Sequence, residues 1–552
     1  MDTRDSWKLL VFREGRRVSD GHELLRELSH QIDSVLSLSD FKSQSARDEL
    51  IDALLRSGEL ECALADQEGC AQEATTLATC TDALADALVA ERRPKVPGVI
   101  LDSLSDFALP EKLQLSVPEG FCYYALHPLD YADLLSEYPL DCGAAAVIGI
   151  RSIGTTLSAI VRAWFELHGV PATRITVRPS GHPFDRKLPL DQNLRHWISE
   201  QAQRGARFYV VDEGPGLSGS SFLAVAESLV EAGIGHDRIV LLPSSKPNVE
   251  TLIAPNAFAR WNRFRTLPLK PTRYIPADAK QYVGGGEWRN HVFASETEWP
   301  PVWSWTERQK YLSSDGTRIF RFDGHGHYGK AVRERSAILA AHNWGPQIES
   351  AGDGFSVSPW LKRSRPANTD RDMVIQLARY CAFRAEHFAH RSASAAALEE
   401  MAAINLERAA GVSRRVTLPI ERPVITDSRM MPHGWIVTEG GTLLKVDASS
   451  HGDDHFYPGP TDIAWDLAGA IVEWNLDGDA GRLLISEYLR ASRDEIVARL
   501  PGYLVAYCVF RLALTSSAQM SALDEREVGR FQGEAVDYQD KLSKLLSLSA
   551  VA

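Results

Sequence analysis

The chain lacks most of what marks a secreted, membrane-spanning or nucleic-acid-coating protein. None of its seven cysteines (Cys62, Cys70, Cys80, Cys122, Cys142, Cys381 and Cys508) forms a Cys-x-x-Cys pair, and their number is odd. That argues against a disulfide framework or a zinc ribbon. No stretch approaches the ~20 apolar residues of a membrane span. No apolar core of a signal peptide follows Met1 to Lys8. Positive charge is in deficit, with 60 Lys and Arg against 73 Asp and Glu and a net charge of −13, which gives no support for a nucleic-acid-coating surface. Internal repeats and low-complexity tracts are missing as well. What is present is ordinary globular composition over 552 residues, 44% hydrophobic and 24% charged, enough for several domains of ~100–200 residues. These features point to a cytoplasmic protein of several domains that meets small molecules, with neither nucleic acid nor membrane as partner. They do not define an oligomeric state.

The hydrophobic pattern divides the chain. Residues 1–95 read as a mainly helical region, with Leu24, Leu25, Leu28, Ile32 and Leu36 at helical spacing. Residues 96–275 alternate strand and helix: Ala144–Ile150, a helix Thr156–His168 stopped by Gly169, Ile175–Val177, Phe208–Val211, a helix from Phe222 to Ala232 and Ile239–Leu242. Such alternation predicts a parallel, Rossmann-like sheet. A Trp/Pro-rich stretch within 276–310 reads as an ordered linker, and 311–552 as an α+β domain with strands first and then helices.

Chemistry concentrates after the strand Phe208–Val211. Asp212 and Glu213 follow it, then Gly214, Pro215, Gly216, Leu217, Ser218, Gly219, Ser220 and Ser221, and then a helix. Backbone N–H groups of a small-residue loop and a helix N-terminus hold a phosphate, and paired carboxylates accept hydrogen bonds from vicinal hydroxyls. This run resembles the PRPP-binding motif of type I phosphoribosyltransferases, with Pro215 and Leu217 where that family often has Thr. The resemblance implies that Asp212 and Glu213 contact the ribose and that Gly214–Ser221 cradle the 5′-phosphate. It also implies a pyrophosphate loop upstream, for which Gly149–Thr156 with Arg151 is the candidate, and a mobile loop whose cations Arg178, Arg186 and Lys187 meet the leaving group. The implied reaction transfers phosphoribose from PRPP, with Mg²⁺, to a nucleobase-like or other small acceptor. Departing charge would be stabilised by cations, and no protein nucleophile is needed. The aromatics Tyr123, Tyr124 and Trp261 suit either a stacking role or the core.

Residues 311–480 resemble a divergent aminoglycoside-phosphotransferase or protein-kinase-like fold. Arg321 in the strand Arg318–Phe322 and Glu334 in the following helix suit the cation–carboxylate pair that such folds place beside ATP phosphates. A glycine-rich turn, Gly324–Gly329, follows that strand instead of preceding it. Val446-Asp447 resembles the strand end that carries the metal-binding Asp, and Asp462-Ile-Ala-Trp-Asp466-Leu-Ala resembles a helix start of small-molecule kinases. The catalytic loop departs from the pattern, Asp427 being its one nearby carboxylate. His451, Asp453, Asp454 and His455 form a cluster in which Asp453, with Asp447, is a candidate metal ligand. Two functions therefore stand open: a phosphoribosyltransferase fused to a kinase-like domain, or a small-molecule kinase or nucleotide-binding regulator in which the first fold only binds ligand.

Overall fold

The computed structural model describes residues 9, 16–104, 107–361, 365–366, 369–391, 393–450, 456–457 and 459–549. The chain begins with three helices, α1 (Gly21–Ser37), α2 (Gln44–Asp66) and α3 (Ala71–Val89). The α1 helix starts where the Asp20 carboxylate accepts hydrogen bonds from the N–H groups of His22 and Glu23, a side-chain N-cap. It buries Leu24, Leu25, Leu28 and Ile32 on one face. Helix α2 has no solvent face: every residue from Leu50 to Leu64 is buried, the charged Asp52, Arg56, Glu59 and Glu61 included. A helix buried all round packs between layers, and α2 has neighbours on both sides. A four-residue turn, α4 (Glu119–Cys122), precedes the sheet.

The sheet is built from β1 (Ala145–Ile150), α5 (Ile153–Leu167), β2 (Ala172–Val177), a hairpin of β3 (Ser180–His182) and β4 (Asp185–Lys187), α6 (Gln192–Gln203), β5 (Arg207–Val211), α7 (Ser220–Glu231), β6 (Ile239–Leu242) and β7 (Arg265–Thr266). Its strand order is β2-β1-β5-β6-β7 and every pairing is parallel. All six residues of β1 are buried, as a central parallel strand covered on both faces requires. The expected parallel sheet is thus present, with a fifth strand, β7, beyond the four read from the sequence, and α1 to α3 pack against its α5 side in one hydrophobic cluster.

A second, antiparallel sheet runs β8 (Ala279–Tyr282), β9 (Lys310–Ser313), β10 (Arg318–Phe322), then α8 (Gly326–Ala341), β11 (Glu349–Gly352) and β12 (Phe355–Pro359), in the order β8-β9-β10-β12-β11. Its first strand lies in the stretch read as linker from sequence. A helical block follows: α9 (Arg371–His387), α10 (Ala396–Ala410), the short strands β13 (Trp435–Val437) and β14 (Leu443–Lys445), α11 (Ala464–Glu473), α12 (Gly478–Ser492), α13 (Leu500–Ser521) and α14 (Glu525–Ser549). The order, an antiparallel sheet first and then a helical block, is the one read from the sequence for 311–552.

The two halves are joined through α2 and α4. Asp52 accepts hydrogen bonds from the His327 N–H (2.6 Å) and from Lys330 Nζ (2.7 Å), and Tyr328 donates to Glu59. Gln44 and Arg47 reach Asp353 at 2.9 and 3.1 Å. The carbonyls of Phe121 and Cys122 accept from His325 N (2.9 Å) and Arg308 Nη1 (2.8 Å). Burial works to raise the Asp52 carboxyl, but His327 and Lys330 outweigh it and hold it below the usual range. Among the described residues no helix is long and apolar enough to cross a membrane.

Candidate functional site

The parallel sheet reverses its direction of growth at β1, whose chain continuation β2 lies on one side and β5 on the other. Ligands of open α/β sheets bind at the strand C-termini beside such a point. Asp212 and Glu213 stand there, directly after β5. Gly154 permits the close approach of the loop after β1: a Cβ on it would lie 2.6 Å from the Val211 carbonyl oxygen and 3.5 Å from Asp212 Oδ1. Ser152 in that loop has φ +109°, a conformation that costs a non-glycine residue on the order of 1–3 kcal/mol. Asp212 Oδ1 accepts from Glu213 N (2.9 Å), Glu213 Oε2 from Gly120 N of α4 (3.0 Å), and the Tyr131 hydroxyl donates to the Asp212 carbonyl (2.6 Å). Both acids are half-buried. Burial pushes Asp212 up to about 7 against the pull of the Glu213 N–H, Arg178 and Arg186. Burial, then the charges of Glu119 and Asp212, push Glu213 up to about 8. Near neutral pH the pair is therefore poised between carboxyl and carboxylate.

The residues expected to meet pyrophosphate are placed less favourably. Arg151 and Arg178 converge on Asp66, the last residue of α2: Arg151 Nη1 lies 3.0 Å from Asp66 Oδ1 and Arg178 Nε 3.1 Å from the same oxygen. Ile153, Gly154, Thr155 and Thr156 are buried. A Cβ on Gly58 of α2 would lie 2.1 Å from Thr156 Oγ1, so the N-terminus of α5 faces protein rather than an open crevice. The cause is the helical layer, whose docking no local motif announces. Lys187 also departs from its expected role: its side chain is 67% exposed and pairs with Asp185 of its own hairpin at 3.0 Å. Arg186 is the hairpin cation that acts on Asp212. The loop Gly214–Ser221 lies beneath the hairpin, where the Ser218 and Ser220 hydroxyls donate to the Pro183 carbonyl at 3.1 and 2.7 Å. Gly216 and Gly219 take positive φ, Pro215 accepts from Gly219 N (2.7 Å), and Leu217 is exposed. Trp261 is core, its ring centroid 5.5 Å from that of Phe222.

Between the antiparallel sheet and the helical block lies a cavity of about 320 Å³. On β10, Arg321 donates from Nε to Asp323 Oδ1 (2.9 Å), from Nη1 to Asp447 Oδ1 (2.7 Å) and from Nη2 to Ser449 Oγ (3.2 Å). On β9, Lys310 Nζ donates to Glu307 Oε1 (2.9 Å) and Asp447 Oδ2 (3.2 Å). Asp447, with φ +60°, brings its carboxylate to this point just beyond β14. The expected Arg321–Glu334 pair is not made. Glu334 is exposed on α8, and its neighbour Arg335 is the residue turned inward, donating to the Ser449 carbonyl at 2.7 Å. One residue is ~100° of helix, enough to exchange the two faces. The glycine-rich turn Gly324–Gly329 packs on Phe121, Cys122 and Asp52 at the junction of the halves. A different run, Gly284-Gly285-Gly286 after β8, adjoins the cleft. Gly285 and Gly286 have positive φ, and Gly286 N donates to Glu307 Oε2 (2.7 Å). Among the described residues, five cations (Lys310, Arg321, Arg429, Lys445 and Arg511) and three carboxylates (Glu307, Asp447 and Glu534) line the cavity. That surplus of positive charge favours an anionic ligand.

Asp427 has no exposed surface. Tyr380 donates to it, Lys445 Nζ lies 3.5 Å away and Arg384 Nη1 4.0 Å away. Its loop is held by Asp466 in the first turn of α11, which accepts from the N–H groups of Asp427 (2.9 Å) and Ser428 (3.0 Å). Burial pushes the Asp466 carboxyl up to about 6, with Arg384 opposing. His433 stacks on Trp288 with centroids 5.9 Å apart. Burial, then Lys445 and Arg429, push it down to about 3, so it is neutral. Asp453, with His451, Asp454 and His455, lies outside the described residues. Among the described residues no group of three or more His, Cys, Asp or Glu converges as a metal cage. Mg²⁺ is commonly held by one or two carboxylates together with substrate phosphates, and Asp447 facing a cationic cleft fits that mode. Sequence reading missed Lys310, Lys445 and the Gly284–Gly286 run. Only the last carried a signal, three consecutive glycines after an apolar Tyr-Val.

No family model and no curated protein matches the chain. Solved structures that align with part of it include choline kinase LicA from Streptococcus pneumoniae, at 13% identity and a TM-score of 0.29, over 42% of this chain and 89% of that one. A choline/ethanolamine kinase family protein from Mesorhizobium loti aligns at 13% identity and 0.29, over 44% and 88%. An aminoglycoside phosphotransferase from Alicyclobacillus acidocaldarius aligns at 14% and 0.29, over 44% and 91%.

Proposed function

We propose that the C-terminal half binds a nucleoside triphosphate with Mg²⁺ in the cleft between its lobes and serves a small-molecule phosphotransferase. The observation that carries this is the meeting of Lys310, Arg321 and Asp447 inside the cationic cavity. Asp447 would hold Mg²⁺, which supplies neutralisation of phosphate charge. The glycine run next to Glu307 would lie over the phosphates, and Arg429 and Lys445 add charge where a transferred phosphoryl group needs it. In the arrangement described, Asp427 makes no contact with the cavity, so its use as a base on an acceptor hydroxyl requires it to leave Tyr380 and Lys445. Titration calorimetry with Mg·ATP tests the reading. Micromolar binding lost in Asp447→Ala supports it, and absence of binding in the wild type refutes it. ADP release upon addition of a hydroxylated acceptor library would separate transfer from binding alone.

A second reading is favoured by the acidic pair at the sheet's switch point, with Arg186 and Arg178 acting on Asp212. There the chain would bind PRPP with Mg²⁺ and transfer phosphoribose. The engagement of Arg151 and Arg178 by Asp66, and of Ser218 and Ser220 by Pro183, weighs against it as the main reading. Calorimetry with PRPP, with and without Mg²⁺, on wild type and Asp212→Asn/Glu213→Gln decides between a sugar-phosphate site and a structural acid pair.

A further inference from the structure

We infer that Lys310 of β9, rather than Arg321 of β10, is the cation that binds the nucleotide's phosphates, and that Arg321 is a positioning residue for Asp447. This rests on the nucleotide reading above. The two side chains differ in how fully they are committed. Arg321 uses Nε on Asp323, Nη1 on Asp447 and Nη2 on Ser449. Asp323 has no exposed surface, so drawing Arg321 towards a phosphate would strip a buried carboxylate of its counter-ion, a heavily penalised change. The guanidinium is thus fixed in a frame whose product is the orientation of Asp447 Oδ1.

Lys310 has a different setting. An ammonium has three donors, and two of them go to Glu307 and Asp447. Glu307 in turn accepts from Gly286 N of the glycine run. Lys310 therefore stands where three elements meet that a triphosphate would have to touch: the glycine run, the strand β9 and the carboxylate that suits a metal. Burial works against its charge, and Asp447 and Glu307 more than restore it. A compact point charge on a flexible stem can change partner from a carboxylate to a phosphate oxygen with little rearrangement, unlike the rigid fork of arginine. No feature of strand β9 in the sequence marks this lysine.

The test is titration calorimetry on the full chain with ATP and with adenosine as probes, each in the presence and absence of Mg²⁺. Lys310→Met should weaken metal-free ATP by about 10- to 100-fold, the worth of a charged hydrogen bond, and leave adenosine within about threefold of wild type. Adenosine binding at the same time reports that the variant is folded. Arg321→Gln, or Arg321→Lys should the former not fold, is expected to keep metal-free ATP affinity within about threefold and to lose the gain that Mg²⁺ confers. A purely structural role would not produce that signature. Lys310→Met binding metal-free ATP like wild type overturns the assignment, as does an Arg321 variant that loses metal-free ATP while retaining adenosine. Wild-type protein that binds neither ATP nor adenosine refutes the nucleotide reading itself, and this inference with it.

Discussion

Replacing Glu213 by Gln should make the protein more stable at alkaline pH, although it removes a charged residue from a candidate site. The fold raises the Glu213 carboxyl from an ordinary 4.5 to about 8, through burial and the neighbouring charges of Glu119 and Asp212. A full displacement of that size corresponds to about 5 kcal/mol at ~1.36 kcal/mol per pH unit. The side chain is only half-buried, and solvent screening reduces the figure to about 2 kcal/mol. The sign follows from which form the fold prefers. A raised carboxyl is favoured protonated, so its stability is fully present below pH 4.5 and is lost as pH climbs towards 8. Glutamine keeps an oxygen for Gly120 N–H and never ionises. The variant and the wild type should therefore melt together near pH 4, separate through the window from 4.5 to 8, and stay a constant distance apart above it. With ~2–4 °C per kcal/mol for a cooperative unit of 150–250 residues, the gap at pH 8.5 should be about 4–8 °C. Differential scanning calorimetry at pH 4.5, 6, 7 and 8.5 reads it. Equal melting temperatures at pH 8.5, or a gap of the same size at every pH, would refute the claim that ionisation of this half-buried pair strains the site.

Asp427→Asn should destabilise the C-terminal half by about 3 kcal/mol, because Lys445 and Arg384 would be left buried with less countercharge; an unchanged melt would show that Asp427 is not locked. Asp447→Asn should weaken Mg·ATP at least about tenfold and tighten metal-free ATP, since a carboxylate next to phosphates repels them until a cation intervenes; calorimetry showing the opposite sign would remove Asp447 from the phosphate site. Asp66→Ala should release Arg151 and Arg178 and raise affinity for inorganic pyrophosphate about tenfold; with no gain, those arginines serve the helix contact alone.

The parallel core was readable because its strands are apolar runs ending in glycine-, serine- or acid-rich turns, and each such turn ends a strand or caps a helix whatever surrounds it. Asp212, Asp447 and Asp466 could be picked out for the same reason, since strand ends and helix starts have local signatures. Partners supplied from far along the chain could not. Nothing around Arg151 announces Asp66, and nothing around Arg321 tells that Asp447, rather than Glu334, completes its pairing. Glu334 and Arg335 differ by one position in a helix whose hydrophobic stripe is weak, so the pattern leaves the facing residue undetermined. The strand Ala279–Tyr282 hid for a related reason: three of its four residues are exposed or polar, and an edge strand of that kind reads as linker.

The buried charges of α2 also bear on how this protein could be taken apart. Severing the polypeptide between 275 and 279 would give one piece that shows Asp52 and Glu59 to solvent without His327, Lys330 and Tyr328, and another that leaves Arg308 and the N–H of His325 without the Phe121 and Cys122 carbonyls. Neither piece would inherit a finished surface. Separating the halves would thus uncover charges that are paired in the intact chain, and grafting either onto another scaffold means carrying over α2 and α4 as part of its foundation.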